Sequence, residues 1–423
     1  MLSIFSPNLS AHTFSLFFIA AVLMTTALRY YLSWRHMNYI AAHRASVPPL
    51  FADRISLEAH QKAADYAQAR IRFGQLSLAI DTSLLLFLTV GGFIGTLHEL
   101  WQPRLGTGYL YSIAMVFSLT LISSVLDIPQ SLYRQFVIEE KFGFNRMTLK
   151  LFLLDMVKGA LLGLAVGTPL LLAVLWFMNT TGSLWWLYVW IFWCGFNLLL
   201  LFIYPIWIAP LFNTFTPLAD SELKTRIEAL LTRCGFASKG LFVMDGSKRS
   251  AHGNAYFTGF GKNKRIVFFD TLIERLTPTE AEAVLAHELG HFKHKHVLKR
   301  IISTFALTLA GLWLMGQLMT MPWFYAGLGV PAQNAVLALI LFFLAAPSFT
   351  FLLTPLSSMI SRKHEYEADA YAAKNASATE LVRALVKLYE DNASTLTPDP
   401  LHSLFYDSHP PAALRIAHLK QQA

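Results

Sequence analysis

Long apolar stretches alternate with segments dense in lysine and arginine, and this alternation divides the whole chain. A helix needs about 20 apolar residues to cross the hydrocarbon core of a bilayer. Seven stretches meet that length, at residues 14–31, 76–97, 109–128, 151–178, 185–212, 301–328 and 334–360. The pattern predicts seven membrane helices. The first stretch is too long for a signal peptide and lacks a small-residue cleavage site, so it reads as a signal anchor. Pro205, Pro210, Pro347 and Pro355 lie in or near the fifth and seventh spans and predict kinks. Asp155 and Lys158, three residues apart inside the fourth span, are expected to pair and to face the bundle interior.

The periodicity changes in the long polar segment 213–300. Residues 221–234 alternate as an amphipathic helix, and 240–244 and 265–269 read as short strands, with 255–260 as a third. A strongly marked helix start follows. Thr277 suits the N-cap, Pro278 the first helical position, and Glu280 completes a capping box. The helix is expected to run through 281–300.

Composition sharpens this picture. Of 423 residues 55% are apolar and only 14% charged, against about 25% charged in soluble domains. Mean hydropathy is +0.46. Lysine and arginine are retained on the cytoplasmic side of a membrane. Seven spans put segments 29–75, 129–150, 213–300 and 361–423 on one side, and those hold 7, 4, 14 and 7 basic residues, 32 of the 34 in the chain. That partition supports the span count, places the N-terminus outside and turns the long loops toward the cytoplasm. It also accounts for the net charge of +8 without nucleic acid, for which no basic block or binding motif exists. Cys194 and Cys234 lack any zinc-type CxxC spacing and read as reduced thiols.

Candidate chemistry lies at residues 287–291, which read His-Glu-Leu-Gly-His. Four residues apart on a helix, His287 and His291 project from one face and can reach one zinc ion. Glu288 is rotated by one residue, close enough to serve as a base without being a ligand. A catalytic zinc takes three protein ligands and keeps one position open. Residues 361–370, Ser-Arg-Lys-His-Glu-Tyr-Glu-Ala-Asp-Ala, offer His364, Glu365 and Glu367 as the third. Asp369 lies four residues after Glu365 and could accept a hydrogen bond from a ligating histidine, which favours Glu365. His294 and His296 read as helix-end cations or as groups supporting the ligands. His409, in Asp-Ser-His-Pro-Pro, is a candidate donor to the oxyanion of a tetrahedral intermediate.

Taken together these residues make the chain resemble the CAAX prenyl protease 1 family of membrane zinc endopeptidases. The resemblance covers nearly the whole chain. It is carried by Ile138-Glu139-Glu140-Lys141-Phe142-Gly143-Phe144-Asn145, by Ala209-Pro210-Leu211-Phe212-Asn213 and by Asn254-Ala255-Tyr256-Phe257. It continues through Lys262-Asn263-Lys264-Arg265-Ile266-Val267, Asp270-Thr271-Leu272 and the His287–His291 motif. Ser361-Arg362, Glu365-Tyr366, Ala368-Asp369, His409-Pro410-Pro411 and Arg415 complete it. The resemblance implies one zinc per chain on His287, His291 and Glu365, with Glu288 as general base. It implies that Asn254 and Ala255 lie on an edge strand holding the substrate backbone, and that His409 and Arg415 line the site. The implied fold is mainly α, a bundle of seven transmembrane helices enclosing a chamber, with a cytoplasmic zinc-metallopeptidase domain of helices and a small β-sheet.

The expected division is membrane helices 1–5 in 1–212, a metallopeptidase segment in 213–300, helices 6–7 in 301–360 and a C-terminal segment completing the zinc site in 361–423. The chain ends Lys-Gln-Gln-Ala without a dilysine-type retrieval signal, and its outer loops are short. The expectation is therefore a bacterial inner-membrane homologue (the endoplasmic reticulum in a eukaryote) with its active site facing the cytoplasm. The expected partners are the lipid bilayer and a peptide or protein substrate, lipid-modified or amphipathic. A quality-control protease for membrane proteins would share this chemistry. An intramembrane-cleaving metalloprotease fits poorly, because the motif helix carries Lys293, Lys295, Lys299 and Arg300. A transporter or scaffold with a structural zinc fits poorly too, since such sites are closed and usually rich in cysteine.

Overall fold

The computed structural model describes residues 9–238, 240–258 and 265–422. Among these, seven helical segments are long and apolar enough to cross a membrane: Ala11–His43, Leu57–Leu88, Tyr109–Glu139, Leu149–Thr180, Gly182–Phe212, His296–Leu318 and Ala335–Asn375. Helices α1 (Ala11–His43), α2 (Leu57–Leu88), α3 (Phe93–Leu105), α4 (Tyr109–Tyr133) and α5 (Leu149–Thr180) are followed by α6 (Trp185–Ile203) and the short α7 (Ala209–Phe212). α4 runs on through a π-helical stretch at Arg134–Glu139, and a second one, Tyr204–Ile208, joins α6 to α7. Pro205 is the second residue of that stretch, and it has no N–H to give to an α-helical bond.

Two spans end earlier than the hydropathy pattern predicts. The second stops at Leu88, because Gly92 takes a left-handed φ of 79° and starts α3 as a separate helix. The sixth stops at Leu318, and Pro322 opens a new helix, α12, described below.

The sheet has the order β1-β2-β4-β3, where β1 is Phe215–Pro217, β2 Leu241–Met244, β3 Ala255–Thr258 and β4 Arg265–Phe269. β2 and β4 pair parallel, and the outer strands antiparallel. β1 had no clear sequence signal: it is three residues long and carries a proline, as an edge strand can. Residues 259–260 of the expected third strand, and 262–264 of the resemblance, lie outside the described residues. α8 (Glu222–Arg233) and α9 (Asp270–Arg275) flank the sheet.

Thr277 caps α10 (Pro278–Lys293), and its capping box with Glu280 is complete. The helix does not continue to residue 300. Lys295 adopts a left-handed φ of 56°, and a new helix, α11 (His296–Leu318), begins after it. α12 (Pro322–Gly327), α13 (Ala335–Thr350), α14 (Thr354–Asn375), α15 (Ala378–Asp391), α16 (Pro400–Tyr406) and α17 (Ala412–Lys420) complete the chain.

Two main apolar cores close the two ends of the molecule. One joins α8, the sheet, α10, α15 and α17 around Ile227, Phe268, Leu289 and Ile416, so segments 213–300 and 361–423 share a core although two spans separate them in sequence. The other gathers the opposite helix ends: Phe18 and Val22 of α1, Leu88 of α2, Met115 of α4, Leu175 of α5, Val189 of α6, Met315 of α11, and most of α12 with Leu337 of α13. Between the cores the membrane helices bury little. The buried residues of α5 are Leu175 and Met178, and those of α6 are Trp185 and Val189. A helix in a solid bundle buries a continuous stripe. Helices buried only at one end form a wall one helix thick, apolar toward lipid and open toward an enclosed chamber.

The expected Asp155–Lys158 pair does not form. Asp155 instead accepts from two nitrogens of Arg249, Nε at 2.8 Å and Nη2 at 3.1 Å, and Lys158 reaches the Leu211 carbonyl at 2.8 Å. The guanidinium fork matches a carboxylate in two places, which an ammonium cannot do. Arg249 also binds Asn213 Oδ1 and the Phe212 carbonyl, tying the membrane wall to the loop before β3. Side chains at both ends of the Asp155–Arg249 pair are four-fifths buried. Arg249→Met leaves Asp155 buried and unpaired, at a cost of about 3–5 kcal/mol. It should lower the thermal unfolding midpoint in detergent, read by circular dichroism, whereas Lys158→Met should shift it far less.

Candidate metal centre

α10 and α14 approach one another unusually closely. Gly290 faces Ala368: a Cβ at Gly290 would lie 2.8 Å from Ala368 Cα and 3.1 Å from its carbonyl oxygen. No side chain can occupy that position without moving backbone, so the glycine inside the His-Glu-Leu-Gly-His motif sets the distance between the two helices.

That contact brings His287 and His291 of α10 up to Glu365 of α14. His287 Nε2 and His291 Nε2 are 3.2 Å apart. Glu365 Oε2 is 3.5 Å from His287 Nε2, and Oε1 is 3.3 Å from His291 Nε2. Donors about 2.0–2.1 Å from a tetrahedral zinc ion stand roughly 3.3 Å from one another. The two Nε2 atoms and the Glu365 carboxylate, which turns one oxygen to each of them, therefore surround a space of the right size. Glu365 Oε2 is buried without a hydrogen-bond partner, as a ligand atom awaiting a cation would be. Two nitrogens and one carboxylate oxygen suit zinc.

The other third-ligand candidates point elsewhere. Glu367 takes the Nε2 of His296 at 2.8 Å, and the His364 ring stacks on the His296 ring at 4.0 Å. His294 also lies along that ring, at 5.5 Å. Among the described residues, His287, His291 and Glu365 are the group that could hold a metal.

The carboxylate of Asp369 is wholly buried and lies 2.8 Å from His287 Nδ1. Arg415 of α17 grips the same carboxylate with Nε at 2.9 Å and Nη2 at 2.6 Å, and its Nη1 is 3.6 Å from Glu365 Oε2. Burial works against charge on His287, but hydrogen bonds to Asp369 and Glu365 outweigh it and lift its pKa to about 9. The pocket is built to hold positive charge at the histidine face.

These groups open onto a cavity of about 810 Å³ whose lining includes Asn254, Ala255, His287, Glu288, His409 and Arg415. Ala255 begins β3, which is an edge of the sheet, and Asn254 just before it accepts the Ala255 N–H with its Oδ1 at 2.8 Å. His409 is largely exposed to the cavity, its Nε2 3.5 Å from Glu365 Oε1 and its Nδ1 3.0 Å from Ser408 Oγ.

Three further groups support the site, and of these His296 is the one the sequence pointed to as a group supporting the ligands. Arg362, one turn before Glu365, donates to the carbonyls of Ser403 and Asp407 at 3.0 and 2.8 Å, fixing the loop that presents His409. Glu139 accepts from Tyr66 at 2.7 Å and lies 3.6 Å from His252 Nε2, two residues before Asn254. His296 meets His291, as described below. Arg362 and Glu139 join segments distant in sequence, so spacing carries no sign of their contacts.

The chain is similar to known proteins over nearly its whole length. Residues 36–214 match a family model described as CAAX prenyl protease N-terminal, five membrane helices, and residues 217–423 match peptidase family M48. The CAAX prenyl protease 1 of Saccharomyces cerevisiae is 36% identical, covering 92% of this chain and 91% of that one. The CAAX prenyl protease 1 homolog of Arabidopsis thaliana is 35% identical over 91% and 92%. The crystal structure of S. mikatae Ste24p superposes with a TM-score of 0.88 at 34% identity, covering 96% of this chain and 98% of that one.

The helix contact is testable. Gly290→Ala should separate α10 from α14 by a few tenths of an ångström or more, and Gly290→Val by more. Metal content of the purified variants should fall in that order, with activity falling alongside.

Proposed function

The chain belongs to the CAAX prenyl protease 1 branch of peptidase family M48, and we propose that it hydrolyses peptide bonds at a zinc ion held by His287, His291 and Glu365. It is a multi-pass membrane metallopeptidase. The observation that carries the ligand assignment is that His287 Nε2 and His291 Nε2 lie 3.2 Å apart, with one oxygen of the Glu365 carboxylate 3.5 Å from the first and the other 3.3 Å from the second.

Zinc bound there supplies a Lewis acid that polarises the scissile carbonyl and makes the attacking water more acidic. The chain's own residues do the rest. Glu288, next to His287 on α10 and lining the same cavity, takes the proton from the attacking water and delivers it to the leaving amine. Ser408 Oγ lies 3.0 Å from His409 Nδ1; with the hydroxyl donating there, Nε2 would carry the hydrogen that is given to the developing oxyanion. The β3 edge aligns the substrate: an added strand would take over the Ala255 N–H that Asn254 now accepts. Arg415 and Asp369 hold the His287 ring so that its Nε2 lone pair faces the other two donors.

The relatives' name supports prenylated CAAX-type polypeptides as the substrate class. The hollow bundle supports it as well, since a lipid-modified chain could be housed beside the site. Zinc-site residues come from 213–300 and 361–423, and membrane spans from 1–212 and 301–360. The excess of Lys and Arg in those first two segments supports an active site facing the cytoplasm.

Glu288→Gln keeps the shape of the side chain but cannot take the proton. Turnover of a farnesylated C-terminal peptide should drop at least about 10²-fold with zinc near one per chain. Loss of zinc would make Glu288 a ligand. His409→Ala should lower single-turnover cleavage about 10²–10³-fold, leaving zinc content and substrate affinity near wild type. Wild-type cleavage of an unfolded membrane protein at many sites, with the farnesylated peptide untouched, would favour quality-control proteolysis instead.

Sidedness has its own test. A cysteine at Lys248 should react with an impermeant thiol reagent only after the membrane is opened, and one at Thr181 before. Labelling of both from one side would refute the seven-span topology.

A further inference from the structure

We propose that His296 and Glu367 form a positioning relay that fixes the tautomer and orientation of His291, so that the grip on the metal depends on two residues that never touch it. This rests on the assignment of His291 as a ligand.

With His296 neutral, the geometry sets the direction of each hydrogen bond in the relay. Glu367 Oε2 lies 2.8 Å from His296 Nε2. A carboxylate only accepts, so that nitrogen carries the hydrogen. A neutral His296 then has a lone pair on Nδ1, and Nδ1 lies 3.0 Å from His291 Nδ1. His291 must donate there, which leaves the lone pair of His291 on Nε2, the atom 3.3 Å from Glu365 and 3.2 Å from His287. The opposite tautomer of His291 would set two lone pairs against each other at Nδ1 and turn an N–H toward the other two donors.

The backbone is arranged for this contact. His296 is five residues after His291 and would lie on another face of a continuous helix. The left-handed φ of 56° at Lys295 ends α10 and folds His296 back. A non-glycine residue in that region is strained by about 1–3 kcal/mol and persists where its surroundings demand it. The His296 ring is itself held, with His364 stacked at 4.0 Å and 14° and His294 at 5.5 Å and 15°. It is buried, while the Glu367 side chain keeps about a third of its surface in solvent. The two zinc histidines are thus supported differently: His287 by a buried carboxylate, His291 by a neutral imidazole that is itself oriented by a carboxylate.

Three variants of the full chain in detergent test the relay. His296→Phe keeps a ring for stacking and removes the acceptor. Glu367→Met removes the group that fixes His296, at a partly exposed position where folding should survive. Glu367→Gln offers an amide oxygen to the same N–H. Each is loaded with zinc to one ion per chain, and the rate of zinc loss to a chelator is measured. Loss should accelerate about 10–100-fold for His296→Phe, less for Glu367→Met, and stay within roughly twofold of wild type for Glu367→Gln. The visible spectrum of the cobalt-substituted protein should shift for the first two and not the third. Wild-type rates for both His296→Phe and Glu367→Met overturn the relay, as does equal acceleration by Met and Gln. Lower unfolding temperatures of the metal-stripped variants with unchanged zinc loss would reduce His296 to packing, and also overturn it. His291→Ala and Glu365→Ala run alongside. If those two still bind zinc, the ligand assignment is wrong; if they lose it while the relay variants do not, only the relay is.

Discussion

The close contact of α10 with α14 at Gly290 and Ala368 is the constraint on which the site depends. A metal site tolerates ligand errors of a few tenths of an ångström, and helices normally pack 8–10 Å axis to axis with side chains between them. Removing the side chain at one position lets α14 come near enough for Glu365, a side chain of ordinary reach, to meet both histidines. The capping box at Thr277 and Glu280 fixes where α10 starts, and hence which face carries His287 and His291. Lys387 of α15 adds an ion pair to the same Glu280 at 2.7 Å. The start and the middle of the metal helix are both pinned to the C-terminal segment.

Charge in this centre is balanced outward in layers. Glu365 and Asp369 are two buried carboxylates four residues apart on one helix, an unfavourable pair on their own. Arg415 lies across both and is almost wholly buried itself. It comes from α17, 128 residues from His287. The C-terminal segment therefore neutralises the charge that makes the cation site possible, besides presenting His409. Arg362 connects the two tasks, since it sits one turn from Glu365 and holds the His409 loop by its carbonyls.

The hollow bundle follows from where the cores lie. An apolar core at each end gives the wall its rigidity, while the middle turns of α5 and α6 contribute nothing buried. In water such a shell would collapse, because its inner faces would gain by packing. In a bilayer the outer faces are already in an apolar medium, so the hydrophobic drive to pack helix against helix is weak. The Asp155–Arg249 pair and the tyrosine-glutamate-histidine contact around Glu139 fasten this wall to the loop that leads into β3. The edge strand, the cavity and the metal centre are in this way held to one frame.

By itself the sequence determined what depends on short-range periodicity and on chemistry within one turn of helix. Hydropathy over about 20 residues marks spans, a capping box marks a helix start, and a spacing of four puts two histidines on one face. Span ends were less legible where a glycine or proline decided the break, as at Gly92 and Pro322. Only the tertiary structure decided which partner each charged group takes. Lys158 was nearer to Asp155 in sequence, yet Arg249 has the matching fork. Three acidic or imidazole groups stood within four residues at 364–367, and only Glu365 faces the histidines. The left-handed turn at Lys295, which joins His296 to His291, left no mark in the composition. Such choices are set by distances across the fold, between residues up to 128 positions apart, and a local pattern contains no term for those distances.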